Sequence, residues 1–97
     1  SYFSIHLLAG DQSALAWQFA KSDMDKTAGL EISQGPSGSP KIQGCLAYLE
    51  CRHHALYDGG DHGILVGEVT HIEFLDQARD PLVYCKSALG PLPAIGT

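Results

Sequence analysis

Residues 46–74, LAYLECRHHALYDGGDHGILVGEVTHIEF, decide how this chain is read. From Cys45 onward the hydrophobic period is two. Cys45, Ala47, Leu49, Cys51, His53, Ala55 and Tyr57 fall on one face of a strand, and Leu46, Tyr48, Glu50, Arg52, His54 and Leu56 fall on the other. The first face is core-like. The second is mixed, as if another element or subunit half covers it. Asp58-Gly59-Gly60-Asp61 is a turn signal. Beyond it a return strand runs from His62 to Phe74, and Gly67 in its middle implies a bulge or a close backbone approach. The result is a long hairpin with a titratable group, His62, at its mouth.

Upstream, residues 2–8 alternate loosely, with Phe3, Ile5 and Leu7 on one face of a strand. Gly10 ends it, and Asp11 is an N-cap candidate for a helix from Gln12 to Ser22. Leu15 and Phe19, with Ala16 and Ala20, form its apolar stripe. Trp17 falls off that stripe, so it either faces a partner or lies across a neighbouring strand. Asp23 to Ala28 reads as a further helical turn stopped by Gly29. Residues 30–33 read as a short strand and residues 34–44, QGPSGSPKIQG, as a loop. Downstream, residues 76–81 are a polar turn, 82–85 a last strand, and 89–97 a tail. The chain starts directly on a strand, so the expectation is that it begins mid-domain. Strand, helix, loop and three antiparallel strands predict a mainly β fold, an open barrel with one packed helix. An open sheet edge invites completion by another chain or by further residues.

Ninety-seven residues allow one domain. The net charge of −5, with only six Lys and Arg, argues against nucleic acid and against an anionic membrane surface as partners. No apolar run approaches the roughly 18 residues that span a bilayer. Three cysteines without the spacing of a secreted disulfide framework point to reduced thiols and a cytoplasmic protein.

The histidines and cysteines match no zinc spacing: there is no CxxC and no HExxH, and His53 and His54 are neighbours on a strand. No metal is expected. There is no Gly-x-Ser-x-Gly elbow, no GxGxxG after a strand and no P-loop. Cys45 and Cys51 lie on the core-like face, where a buried thiol is inert. Gly60-Asp61-His62 remains. The glycines leave room for a flat ligand near the backbone. His62 can stack, donate a hydrogen bond or carry charge near neutral pH, and Asp61 can fix its tautomer. The plainer alternative is a surface turn with a solvated histidine.

At this hairpin the sequence resembles the flavin reductase-like, FMN-binding split-barrel family, the reductase components of two-component flavin-dependent monooxygenases. GCLAYLEC, YDGGDH, ILVGEV and PLVY carry the resemblance in that order, preceded by FSIHLLAGDQ, LAWQFA and DKTAGLE. It implies an NAD(P)H-dependent flavin reductase fold, usually homodimeric, with FMN or FAD in a groove near the subunit interface and an oxygenase component as partner. It reads residues 1–97 as the C-terminal part of one such domain. It places His62 and Asp61 at the nicotinamide and flavin edge, with Gly60 allowing close approach and the imidazole looking into a cleft shaped for a planar ring. Trp17 and Lys86 are further pocket candidates. Two features depart from the family. Its main flavin-binding segments precede the strand that opens this chain. An Arg-Gly-Arg-Tyr-like run after PLVY is replaced by Cys85-Lys86-Ser87-Ala88-Leu89, where Lys86 stands in for the cation. Two other classes stay open: a flavin-binding or heme-handling split barrel without turnover, and a scaffold that keeps only a dimerisation surface.

Overall fold

The computed structural model describes residues 1–20 and 29–91. The expected helical turn at 23–28 and the end of the tail lie outside them. The elements are β1 (Tyr2–Leu7), α1 (Ser13–Ala20), β2 (Ile32–Gln34), β3 (Pro40–Ile42), β4 (Ala47–Asp58), β5 (Gly63–Phe74), β6 (Leu82–Cys85) and β7 (Ala88–Pro91). Among the described residues the fold is mainly β with one helix. The described strands form an antiparallel sheet in the order β1-β4-β5 and two separate hairpins, β2–β3 and β6–β7. The barrel they outline is open.

The long hairpin forms as its sequence predicts, with Tyr57 opposite Ile64 and Asp58 opposite Gly63. Its ladder slips twice. The pairs Glu50↔His71 and Cys51↔Val69 leave Thr70 as an extra residue on β5, and His53↔Gly67 and Ala55↔Val66 leave His54 extra on β4. One bulge on each strand cancels the other, so the alternation resumes in register. Thr70 donates from Oγ1 to the Glu50 carbonyl at 3.1 Å. Gly67 also meets the second expectation, close approach. A Cβ there would stand 2.5 Å from Phe3 Cζ and 3.0 Å from Cys51 Cβ, so the Phe3 ring uses the space that glycine leaves.

The register sorts the three-stranded sheet into two chemically distinct faces. Leu7/Ala47/Phe74, Ile5/Leu49/Ile72 and Phe3/Cys51/Val69 form three apolar cross-strand rows. His6/Tyr48/Glu73 and Ser4/Glu50/His71 form the opposite, polar rows. Within this chain the polar face is the covered one: Tyr48 and Glu50 are fully buried. The apolar rows keep Ile5, Leu7, Val69, Ile72 and Phe74 exposed. The core-like face read from β4 is therefore buried at Ala47 and Cys51 but open around them.

Several boundaries differ from the sequence reading. The loop at 34–44 contains β3, which pairs with β2 through Ile32↔Ile42. The early strand sits at 32–34 rather than 30–33. The tail contains β7, joined to β6 by the two-residue turn Lys86-Ser87. Both turn residues have positive φ, 50° and 67°. The helix starts at Ser13, and Gln12 closes the preceding turn by accepting from the Ala9 amide at 2.8 Å. Asp11, the expected cap, instead accepts from Arg79 Nη1 at 3.2 Å. Arg79 also donates to the Gly44 carbonyl and pairs with Asp76 at 3.0 Å, tying three loops together. Leu15 faces inward and packs with Ile42 and Cys45, with Leu8, Leu30 and Leu75 around them. Burial of each of the two large apolar side chains, Leu15 and Ile42, contributes about 1.5–3 kcal/mol.

Candidate functional site

The hairpin tip is built by its glycines. Gly60 has φ of 85°, a conformation other residues rarely adopt. Its amide donates to Asp58 Oδ1 at 3.0 Å, and the Gly59 amide donates to the His62 carbonyl at 2.9 Å. A Cβ on Gly59 would press the His62 carbonyl at 2.8 Å and its ring at 3.2 Å, whereas a Cβ on Gly60 would meet no described atom within 4 Å. The tip is thus closed beneath His62 and open above Gly60.

His62 Nδ1 lies 2.7 Å from Asp61 Oδ1. An ionised carboxylate only accepts, so Nδ1 carries the proton and Nε2 is left as the free edge of the ring. The pair is exposed, with His62 at 69% and Asp61 at 97% side-chain accessibility. The cleft expected beside the imidazole is not built by the described residues; within this chain the ring stands in solvent. Trp17, on α1, is half exposed. Lys86 occupies the β6–β7 turn. Among the described residues no hydrogen bond or ion pair joins either of them to His62. Gly60, Asp61 and His62 therefore come together, and Trp17 and Lys86 stand on other elements.

Sequence reasoning missed a second cluster at the base of the hairpin. Glu50 accepts from the Ser37 amide and Tyr48 Oη at 2.8 and 2.9 Å, and from the Ser37 hydroxyl. Burial alone pushes the Glu50 carboxyl up. The Ser37 and Tyr48 donors and the nearby His71 outweigh it and hold the group below the ordinary carboxylate range. Burial, aided by Glu50, pushes the Tyr48 phenol up to about 12. Lys41 pairs with Glu73 at 2.8 Å and sits 5.4 Å from the Tyr48 ring centre. The only signal in the sequence was an acidic residue inside an apolar strand. Among the described residues no three His, Cys, Asp or Glu side chains converge as a metal site requires. No described helix is long and apolar enough to cross a membrane.

Known proteins match this chain over most of its length. The chain belongs to the flavin reductase like domain family, whose model matches residues 1–93. It is 39% identical over 95 residues to the FMN reductase (NADH) of Agrobacterium fabrum, covering 93% of this chain and 50% of that protein. It is 40% identical over 82 residues to the reductase component of 4-hydroxyphenylacetate 3-monooxygenase from Thermus thermophilus, covering 84% and 49%. In structure it is similar to the Streptomyces globisporus NADH:FAD oxidoreductase solved with NAD and FAD fragments: TM-score 0.85, 29% identity, 97% of this chain and 57% of that one. The chain spans about half the length of the curated relatives it matches.

Proposed function

We propose that residues 1–97 are the C-terminal part of an NAD(P)H-dependent flavin reductase that supplies reduced FMN or FAD to a partner oxygenase. The observation that carries this reading is the family match over residues 1–93 together with a hydrogen-bonded Asp61–His62 pair at the tip of the family's hairpin. Among the relatives, those named for their cofactors use NADH with FMN or FAD. The protein works as a homodimer in the cytoplasm. The exposed apolar rows of the β1-β4-β5 sheet support completion of the barrel and of the dimer by further surface.

The tip fits one wall of a site for a planar ring. Among the described residues there is open space above Gly60, and the ring edge at His62 Nε2 has no hydrogen-bond partner. A bound flavin would supply the redox chemistry, hydride transfer from a nicotinamide. Asp61 holds the His62 tautomer, His62 seats the nicotinamide or flavin edge through Nε2, and Gly60 lets the backbone approach the ring. Trp17 and Lys86 border the pocket from their own elements, Lys86 as a cationic contact. Steady-state oxidation of NADH and NADPH by the full-length protein, with added FMN or FAD, tests the reading. Turnover with either flavin is expected. Flavin binding without turnover would make this a non-catalytic split barrel. No quenching of flavin fluorescence on titration would leave only a dimerisation scaffold.

A further inference from the structure

The β2–β3 hairpin has no ladder to the main sheet. Side chains of the sheet hold it instead. The Ile42 amide donates to His6 Nε2 at 3.0 Å, and Ser4 Oγ donates to the Pro40 carbonyl at 2.7 Å. Lys41 pairs with Glu73, and Glu50 accepts from Ser37. Three of these four ties need a particular protonation state. The His6 tie is the most demanding. A backbone N–H can only donate, so Nε2 must offer its lone pair and the ring must be neutral, with its proton on Nδ1.

We propose that neutral His6 latches the β2–β3 hairpin to the sheet, and that protonation of this ring releases the hairpin's Ile42 end. Protonation puts an N–H on Nε2 facing the Ile42 N–H, which turns an attraction into a donor–donor clash. The groups facing His6 decide the order in which the ties fail. From β4, Tyr48 stacks on the ring at 5.6 Å, and Glu50 lies beyond it. From β3 comes Lys41 over the same Tyr48 ring, and from β5 come His71, edge-on to Tyr48, and Glu73. From α1 come Leu15, Ala16 and Phe19, which carry no charge. Burial holds the His6 imidazole below its ordinary value, so it stays neutral at neutral pH. The Glu50 and Glu73 carboxyls are also held low. The carboxylate ties are thus kept below the ordinary carboxylate range, and the His6 ring, which starts from a higher ordinary value, is expected to let go first as pH falls. The hairpin stays anchored at Ser37 and loosens at Ile42. Ile42 and His6 both line a cavity of about 270 Å³ between β1, β3 and α1, so the loosening opens that cavity. The latch concerns residues outside the hairpin tip and stands apart from the flavin reading.

The test is ¹H–¹⁵N NMR on the protein, following His6 ring nitrogens and amide protection factors from about pH 7.5 to about pH 5. The expected result is a neutral Nδ1–H tautomer at the upper pH. As the ring titrates, Ile42 amide protection should fall about tenfold while the β4–β5 ladder amides stay protected. His6→Gln, which keeps a neutral acceptor, should remove that pH dependence. An Nε2–H tautomer at neutral pH, unchanged Ile42 protection through the titration, or loss of protection at all amides together would each overturn the latch. If His6→Gln does not fold, the wild-type titration alone decides.

Discussion

Gly35 backs directly onto Glu50. A Cβ at position 35 would strike the Glu50 carboxylate and stand 2.6 Å from Tyr48 Oη. Both neighbours are fully buried and bonded to each other, so neither can move aside cheaply. Gly35→Ala is expected to destabilise the protein by about 1–3 kcal/mol through overpacking. The check is the midpoint of urea unfolding at unchanged slope. A midpoint equal to wild type would mean that the 35–39 loop shifts freely and that Glu50 does not fix it.

The Glu50 carboxyl is held below the ordinary range in the folded protein. Its contribution to stability is therefore present above the unfolded value, and it is lost as pH falls through the lowered folded value. Wild-type stability should drop below about pH 4.5. Glu50→Gln should be less stable than wild type at neutral pH, because Ser37 and Tyr48 lose a charged acceptor. The variant should also show a shallower acid limb. Thermal unfolding of both proteins across that range measures the difference. Parallel acid limbs would assign the loss to other carboxylates, Glu73 first among them.

The β6–β7 turn carries its own strain. Lys86 and Ser87 both have positive φ between the paired residues Cys85 and Ala88. Asn-Gly suits such a two-residue turn far better. Lys86→Asn with Ser87→Gly should stabilise by about 0.5–1 kcal/mol in chemical denaturation. The single change Lys86→Asn keeps the turn and removes the charge. If Lys86 serves the flavin, this variant should lose several-fold in flavin affinity and more at low salt than at high. Equal affinity at both ionic strengths would remove Lys86 from the site.

What was legible in the sequence was local. The period-two pattern of β4 and β5 and the Asp58–Asp61 turn are encoded by residues close to their own partners, so the hairpin formed where expected. β3 escaped notice because Pro40 opens it inside a Pro/Gly/Ser-rich stretch, and Ile42 acquires strand character only by pairing with Ile32. β7 escaped for a similar reason: Gly90 and Pro91 read as tail, and the Lys86-Ser87 turn has no glycine to announce it. Burial of Glu50 was not legible either. Alternation places it on a mixed face, but its cover is a loop that folds back from residues 35–39. The glycines around His62 left two readings, a ring-binding site and a solvated turn. Local sequence could not choose between them, since the surfaces around a strand end decide whether a cleft forms there; the described residues leave the ring exposed.

That exposure gives His62 its most direct test. Removing a solvent-facing side chain with one neighbouring partner should change stability by within about 0.5 kcal/mol. If the imidazole seats a ring edge, His62→Ala in the full-length protein should still lower NADH-dependent flavin reduction by about tenfold or more. Asp61→Asn should have a smaller effect in the same direction, because it leaves the ring in place and loosens only the choice of tautomer. Steady-state rates beside thermal midpoints separate the two roles, since a turn residue would move neither and a folding residue would move both. An unchanged rate in His62→Ala would return the hairpin tip to a solvated turn and shift the search for the reducing site to the remainder of the barrel.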